Sequence, residues 1–116
     1  MKNKEFISLK KMLDYIDKAF KYTKDCTYDT FSRNEEKIDA TIFAISQIGE
    51  LVKNIDKETQ AKYSTIEWNI LKGLRNKIVH DYEGINVNII WDIIQNDLNP
   101  LKNKIENVLN EERKKV

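Results

Sequence analysis

Cysteine, proline and glycine are nearly missing from this chain, at one, one and three of 116 residues. The single cysteine, Cys26, has no partner for an internal disulfide and no Cys/His cluster around it, so a disulfide framework and a zinc finger are both excluded and a reducing interior fits best. So few glycines and prolines argue for helices and against a β-sandwich. Long hydrophobic runs are absent too: no stretch reaches the roughly 20 apolar residues of a membrane span. The start, MKNKEFISLKKMLDYI, is dotted with lysines and lacks the apolar core of a secretory signal. These absences predict a cytoplasmic protein without a membrane partner. Charge of one sign is also lacking, with 20 basic against 19 acidic residues and a net charge of +1. A nucleic-acid site, if there is one, must therefore be local.

What is there is amphipathic periodicity. With 41% hydrophobic and 34% charged residues, the chain has the composition of a soluble helical protein, and residues 1–116 read as one domain. Phe6, Leu9, Leu13, Ile16 and Phe20 draw one stripe, predicting a helix from about residue 5 to about residue 25. Ser32 with Glu35 is a capping box, and Ile38, Ile42, Ile45, Ile48, Val52 and Ile55 continue a second helix. Ser64 with Glu67 repeats the signature ahead of Ile70, Leu71, Leu74 and Ile78, and Gly84 suits the stop of that third helix. Asn86 suits a cap for VNIIWDIIQ, which is apolar on nearly all sides. Asn99 and Pro100 read as a cap with proline at the first helical position, restarting or kinking the chain into LKNKIENVLNEERKK. No strand-period segment or hairpin turn competes. The expectation is an all-α, up-and-down bundle of four to five helices, with the first two as the long pair.

The third helix carries the stretch RNKIVHDYEG, which holds the only histidine. On an ideal helix Arg75 falls inside the arc of Leu71, Leu74, Ile78 and Val79, where a guanidinium demands a partner. His80 lies about 140° away, on the polar side. One straight helix does not aim both at one atom. Either the helix loosens between His80 and Gly84, or the site is assembled across a two-fold dimer in which each chain contributes its Arg and His. The second is favoured, alone or combined with the first. The chemistry gives the reason. Arginine offers a planar fork of donors for two phosphate oxygens and stays charged beside a phosphorane-like transition state. Histidine, with an ordinary pKa of about 6.5, takes or gives a proton near neutrality. Metal-free RNA cleavage by the 2′-hydroxyl needs a base and an acid, and a symmetric dimer has two histidines. Tyr82 is another candidate acid, or a group that stacks a base or contacts phosphate. Lys72 and Lys77 add local positive charge. A plain structural reading stays open at this point: Arg75 paired with Glu50 or Asp92, and His80 near helix-terminal carbonyls. Trp91 reads as core, and Glu35 with Glu36 or Asp92 with Asp97 as solvated surface or caps rather than a two-metal centre.

The wider string GLRNKIVHDYEGINVNIIWDIIQNDLNPL resembles the signature region of the HepT toxins of the HEPN superfamily, whose hallmark is arginine, four residues, histidine, one residue, tyrosine. Arg75, His80 and Tyr82 match it without a gap, and Asn76 matches the polar residue that usually follows the arginine. IGELVKNI, residues 48–55, and the helix start at Trp68 extend the likeness over most of the chain. The resemblance implies a HEPN-type bundle, a homodimer with both motifs near one cleft, and metal-independent endoribonuclease activity needing no cofactor. It makes Arg75 and His80 catalytic, with Asn76, Lys77 and Tyr82 in supporting or RNA-binding positions. It also makes Tyr82 the target of an MntA-like nucleotidyltransferase antitoxin, which silences the toxin by attaching AMP to the tyrosine. Two other readings compete: a HEPN module that partners a nucleotidyltransferase without cutting RNA, and a purely structural helical adaptor with Arg75 holding the core.

Overall fold

The computed structural model describes residues 1–80 and 84–115, and of His80 the backbone alone. Helix α1 spans Asn3–Thr23, opened by Glu5, whose carboxylate accepts from the Lys2 amide at 2.9 Å. A short α2, Tyr28–Ser32, leads into α3, Glu35–Leu51, which ends in a 3-10 turn at Val52–Asn54. Then come α4 at Lys57–Lys62, α5 at Trp68–Lys72 and α6 at Leu74–Ile78. Strands β1, Val79–His80, and β2, Gly84–Ile85, pair antiparallel, and α7 follows at Val87–Asp92. A π turn, Ile93–Asp97, joins α7 to α8, Leu98–Arg113.

The all-α expectation holds, and α1 with α3 is the long pair, packed along each other as the principal contact of the fold. The count is higher than the four to five expected, because the short α2 and α4 add to it and the predicted third helix is cut into α5 and α6. The hairpin between α6 and α7 was not expected either, since two-residue strands are too short to leave a period in the sequence. The molecule is 20 Å across its thinnest axis, about two helix diameters.

Local chemistry explains most boundaries. Asn34, not Ser32, caps α3, accepting from the Lys37 amide at 3.1 Å; Ser32 closes α2 by donating to the Asp29 carbonyl at 2.9 Å. Asn86 caps α7 as expected, taking the Ile89 amide at 3.2 Å. The Ser64–Glu67 box does not form. Glu67 occupies the cap position of α5 with no side-chain bond, and the segment is fixed instead by the Trp68 indole, which donates to the carbonyls of Gln60 and Tyr63 at 3.1 and 3.2 Å. The α1 stripe is turned slightly from its predicted line: Leu9, Met12, Ile16 and Ala19 are fully buried, while Phe6, Leu13 and Phe20 sit partly covered at its margin. Packing against both α3 and α8 sets that orientation. Trp91 packs on Phe31 at 5.4 Å between ring centres and edge-on to Tyr28 at 6.1 Å, joining α7 to α2. At the end away from the hairpin, buried Glu112 accepts from the Tyr63 hydroxyl and pairs with Lys62 at 3.3 Å and Lys115 at 3.0 Å.

Candidate active site

Gly49 sets how close the motif segment comes to α3. A Cβ built there would lie 2.4 Å from the Leu71 carbonyl oxygen, so α5 rests directly on the backbone of α3. Two residues later Gly73, at φ −92° and ψ 1°, ends α5 and starts α6. This break resets the helical phase. Within the five residues of α6, Leu74 and Ile78 are buried, and Arg75, Asn76 and Lys77 are exposed. The expectation of Arg75 inside the core-facing arc is thereby corrected: that arc assumed one straight helix from Ser64 to Gly84, and among the described residues the chain has α5, α6 and β1 there, with β2 opening at Gly84.

After Ile78 the backbone is extended. Val79 takes φ −109° and ψ 114°, Val79 faces Ile85 and His80 faces Gly84, and the Asn86 amide donates to the Ile78 carbonyl at 2.9 Å. Gly84 has φ +78°, the left-handed region that glycine enters at little cost. It serves a hairpin here, not the helix stop that its position suggested. The loosening that the sequence placed after His80 begins at Val79, so the 140° separation computed for an ideal helix does not apply. The His80 side chain and Tyr82, the third member of the motif, lie outside the described residues.

Arg75 borders an open groove of about 610 Å³ whose other wall is the outward face of α3, including Asp39, Phe43, Ser46 and Glu50. Among the described residues Arg75 forms no ion pair: Glu50 shares the groove but lies 3.5 Å from Lys53, and neither it nor Asp92 meets the guanidinium as the structural reading expected. Phe43, 57% exposed, leans on Tyr15 with ring centres 6.2 Å apart. Chemically, a guanidinium without an ion pair among the described residues, on a short helix that runs straight into the histidine strand, suits a polyanion. Two contributors escaped the sequence reading. A lone glycine inside a helical pattern was the available signal for Gly49, whereas nothing in the pattern marked Phe43 as outward-facing beside the Ile42 stripe.

Residues 12–108, which include the groove face of α3, α6 and the hairpin, match the sequence profile of a family described as ribonuclease HepT-like. The chain belongs to this family. "Putative RNase MJ0127" of Methanocaldococcus jannaschii is 34% identical to this HepT-like chain over 112 residues, 93% of the chain and 89% of that protein. "Putative RNase TTE0752" of Caldanaerobacter subterraneus subsp. tengcongensis is 29% identical over 105 residues, 90% and 94% of the two. "Probable ribonuclease HepT" of Thermococcus cleftensis is 28% identical over 98 residues, 84% and 89%. No solved structure gives a significant match. A ribonuclease of the HEPN type is the enzyme class that this membership carries.

Proposed function

We propose that this HepT-like chain is the endoribonuclease toxin of a toxin–antitoxin system, cutting RNA without a metal at a composite site in a homodimer. The observation that carries the reading is Arg75: exposed, without an ion pair among the described residues, and joined through α6 to the strand that bears His80. In the reaction, the substrate's 2′-oxygen attacks the adjacent phosphorus while one imidazole accepts the hydroxyl proton. The P–O5′ bond breaks as a second imidazole protonates the leaving oxygen, giving a 2′,3′-cyclic phosphate and a 5′-hydroxyl. Arg75 neutralises charge on the non-bridging oxygens, with Asn76 and Lys77 alongside to hold neighbouring phosphates.

The outward face of α3 supports the homodimer. Asp39 lies seven residues before Ser46 and Lys53 seven after it, so a two-fold axis at Ser46 sets each acid opposite the other copy's base. Phe43 and the partly buried Ile42 and Leu51 supply apolar area beside that axis. Both copies of Arg75 then reach one seam. Tyr82 is the proposed acceptor of AMP from an MntA-like nucleotidyltransferase antitoxin, because an adenylyl group beside the arginine blocks RNA by bulk and by negative charge.

The test is cleavage of RNA in EDTA by protein that mass spectrometry shows to carry no adduct on Tyr82. Wild type cuts and leaves cyclic-phosphate ends, while Arg75→Ala and His80→Ala do not. Cutting that needs an added metal, or persists in both variants, refutes the mechanism; no cutting by unmodified dimer returns the chain to the non-catalytic module that partners a nucleotidyltransferase.

A further inference from the structure

The other flank of α6 opens on a second cavity. A slot of about 280 Å³ lies between α5–α6 and the π turn. Its floor is Leu71, Leu74, Leu98 and Leu101, each more than nine-tenths buried, and Ile70, 53% exposed, stands at its edge beside Pro100. The slot has a structural cause. Pro100 has no N–H to offer the Asn96 carbonyl four residues back, and its ring crowds that carbonyl. The ladder widens instead to a π turn, in which the Leu98 amide donates to the Ile93 carbonyl, and Asn96 and Asp97 stand exposed at the cavity. Such turns concentrate at functional sites.

The lining has a definite chemistry. Lys77, Lys104, Asn96, Asp97 and Glu67 surround apolar walls, and among the described residues none of their side chains is engaged in an ion pair or side-chain hydrogen bond. A volume just below the range of about 300–1,000 Å³ for drug-sized ligands suits one small heterocycle. Flat apolar faces with polar groups at the edge describe a nucleobase, which stacks on apolar side chains and is read along its edge. Lys77 is two residues from Arg75 on α6, so a strand whose phosphate lies at Arg75 can cross the exposed ridge at Asn76 and drop its neighbouring base into the slot.

Resting on the ribonuclease reading, we propose that this slot seats one base of the substrate RNA flanking the scissile phosphate, and that Asp97 with Asn96 selects a base bearing an exocyclic amino group. A carboxylate only accepts hydrogen bonds, so it pairs with the amino donors of adenine, cytosine or guanine and opposes the carbonyl edge of uracil. Glu67 adds a second acceptor, and the two lysines keep the phosphates at the rim.

The experiment uses the full chain, folded by circular dichroism, on single-stranded RNAs that differ only in the bases around one cleavage position. Cyclic-phosphate ends are mapped for wild type, Asp97→Ala and Ile70→Trp, the last placing a ring across the slot at an exposed position. Wild type is expected to favour an amino-bearing base over uracil by about tenfold. Asp97→Ala should bring that ratio to within about twofold, and Ile70→Trp should do the same by closing the slot to every base, slowing the amino-bearing sites most. A general weakening of the fold would lower every site equally and leave the ratio alone. Wild type that cuts without base preference, or variants that keep the wild-type pattern, overturn the slot assignment and leave the ribonuclease standing. Variants that cut normally but escape adenylylation by the nucleotidyltransferase also overturn it, giving the slot to a protein partner. If wild type cuts nothing, the ribonuclease reading fails and takes this inference with it.

Discussion

Replacing Gly49 by alanine tests whether the contact between α3 and α5 positions the site. The added Cβ meets the Leu71 carbonyl oxygen at 2.4 Å, where ordinary contact begins at 3.4 Å, so the backbones must part by about 1 Å. The obstacle is main chain, which cannot swing aside as a side chain would. Overpacking of this kind costs about 1–3 kcal/mol. Against it stands the better helix propensity of alanine, about 1 kcal/mol. The balance is a loss of about 1 kcal/mol, or a fall in Tm of about 4 °C for a domain of this size. Activity should suffer more. Leu71 is four residues from Arg75, and misplacement by about 1 Å can cost roughly a hundredfold in rate. Gly73→Ala is the control, because its Cβ would find only carbonyl oxygens at 3.7 and 3.8 Å. Thermal unfolding and RNA cleavage on both variants decide the matter. A Gly49→Ala protein with undiminished Tm and full activity would refute the claim that this approach holds Arg75 in place.

Arg75→Ala should leave stability within about 0.5 kcal/mol of wild type, because the side chain is exposed and without an ion pair among the described residues, while cleavage is lost; a large drop in Tm would restore the structural role for this arginine. Gly84→Ala should weaken the hairpin by about 1 kcal/mol through its φ of +78°, and Gly84→Asn by less, with cleavage following the same order; equal activity in all three proteins would show that the hairpin does not set His80. On the proposed α3 seam, Phe43→Asp should turn a wild-type dimer into a monomer in sedimentation and abolish cutting; an unchanged dimer would place the seam elsewhere, and a monomeric wild type would refute the composite site. The Glu112 cluster gives a pH profile. The Tyr63 hydroxyl, ahead of the ammonium groups, holds the Glu112 carboxyl far below its usual range, so this stabilisation is complete above the ordinary carboxylate pKa and drains away as the solution is acidified. Burial first, and Glu112 second, push Tyr63 up to about 12, so its contribution is complete below its ordinary value of 10.0 and is lost as pH rises toward 12. Wild type should therefore lose more Tm than Glu112→Gln between pH 7 and about pH 3; parallel losses would remove the carboxylate from the acid limb.

The helices were legible where one face repeats for several turns. The α1 and α3 stripes gave the long pair, and Asn86 gave the start of α7. Capping boxes misled twice, because Ser32 and Ser64 each have a competing local use for the chain: one closes a five-residue helix, the other precedes a segment fixed by an indole. The exposure of Arg75 was not legible, since the phase of α6 depends on a break at Gly73 that periodicity averages over. The hairpin could not be read because four paired residues carry no period. The proposed second copy was reached from the sequence only through symmetry and the need for two imidazoles.

The π turn also works as a phase shifter. Helices α7 and α8 run as one rod with an extra residue at its middle, and each added residue rotates the faces beyond it by about 100°. Upstream, the rod presents Trp91 to Tyr28 and Phe31; downstream, it presents Leu98, Leu101, Ile105 and Val108 to the core and lets Lys102 reach Asp17 on α1 at 2.9 Å. The extra residue sets the phase between those two sets of neighbours. Deleting one residue between Ile93 and Asp97 would turn every side chain after it by that angle and misalign the two ends, while Pro100 would still interrupt the ladder.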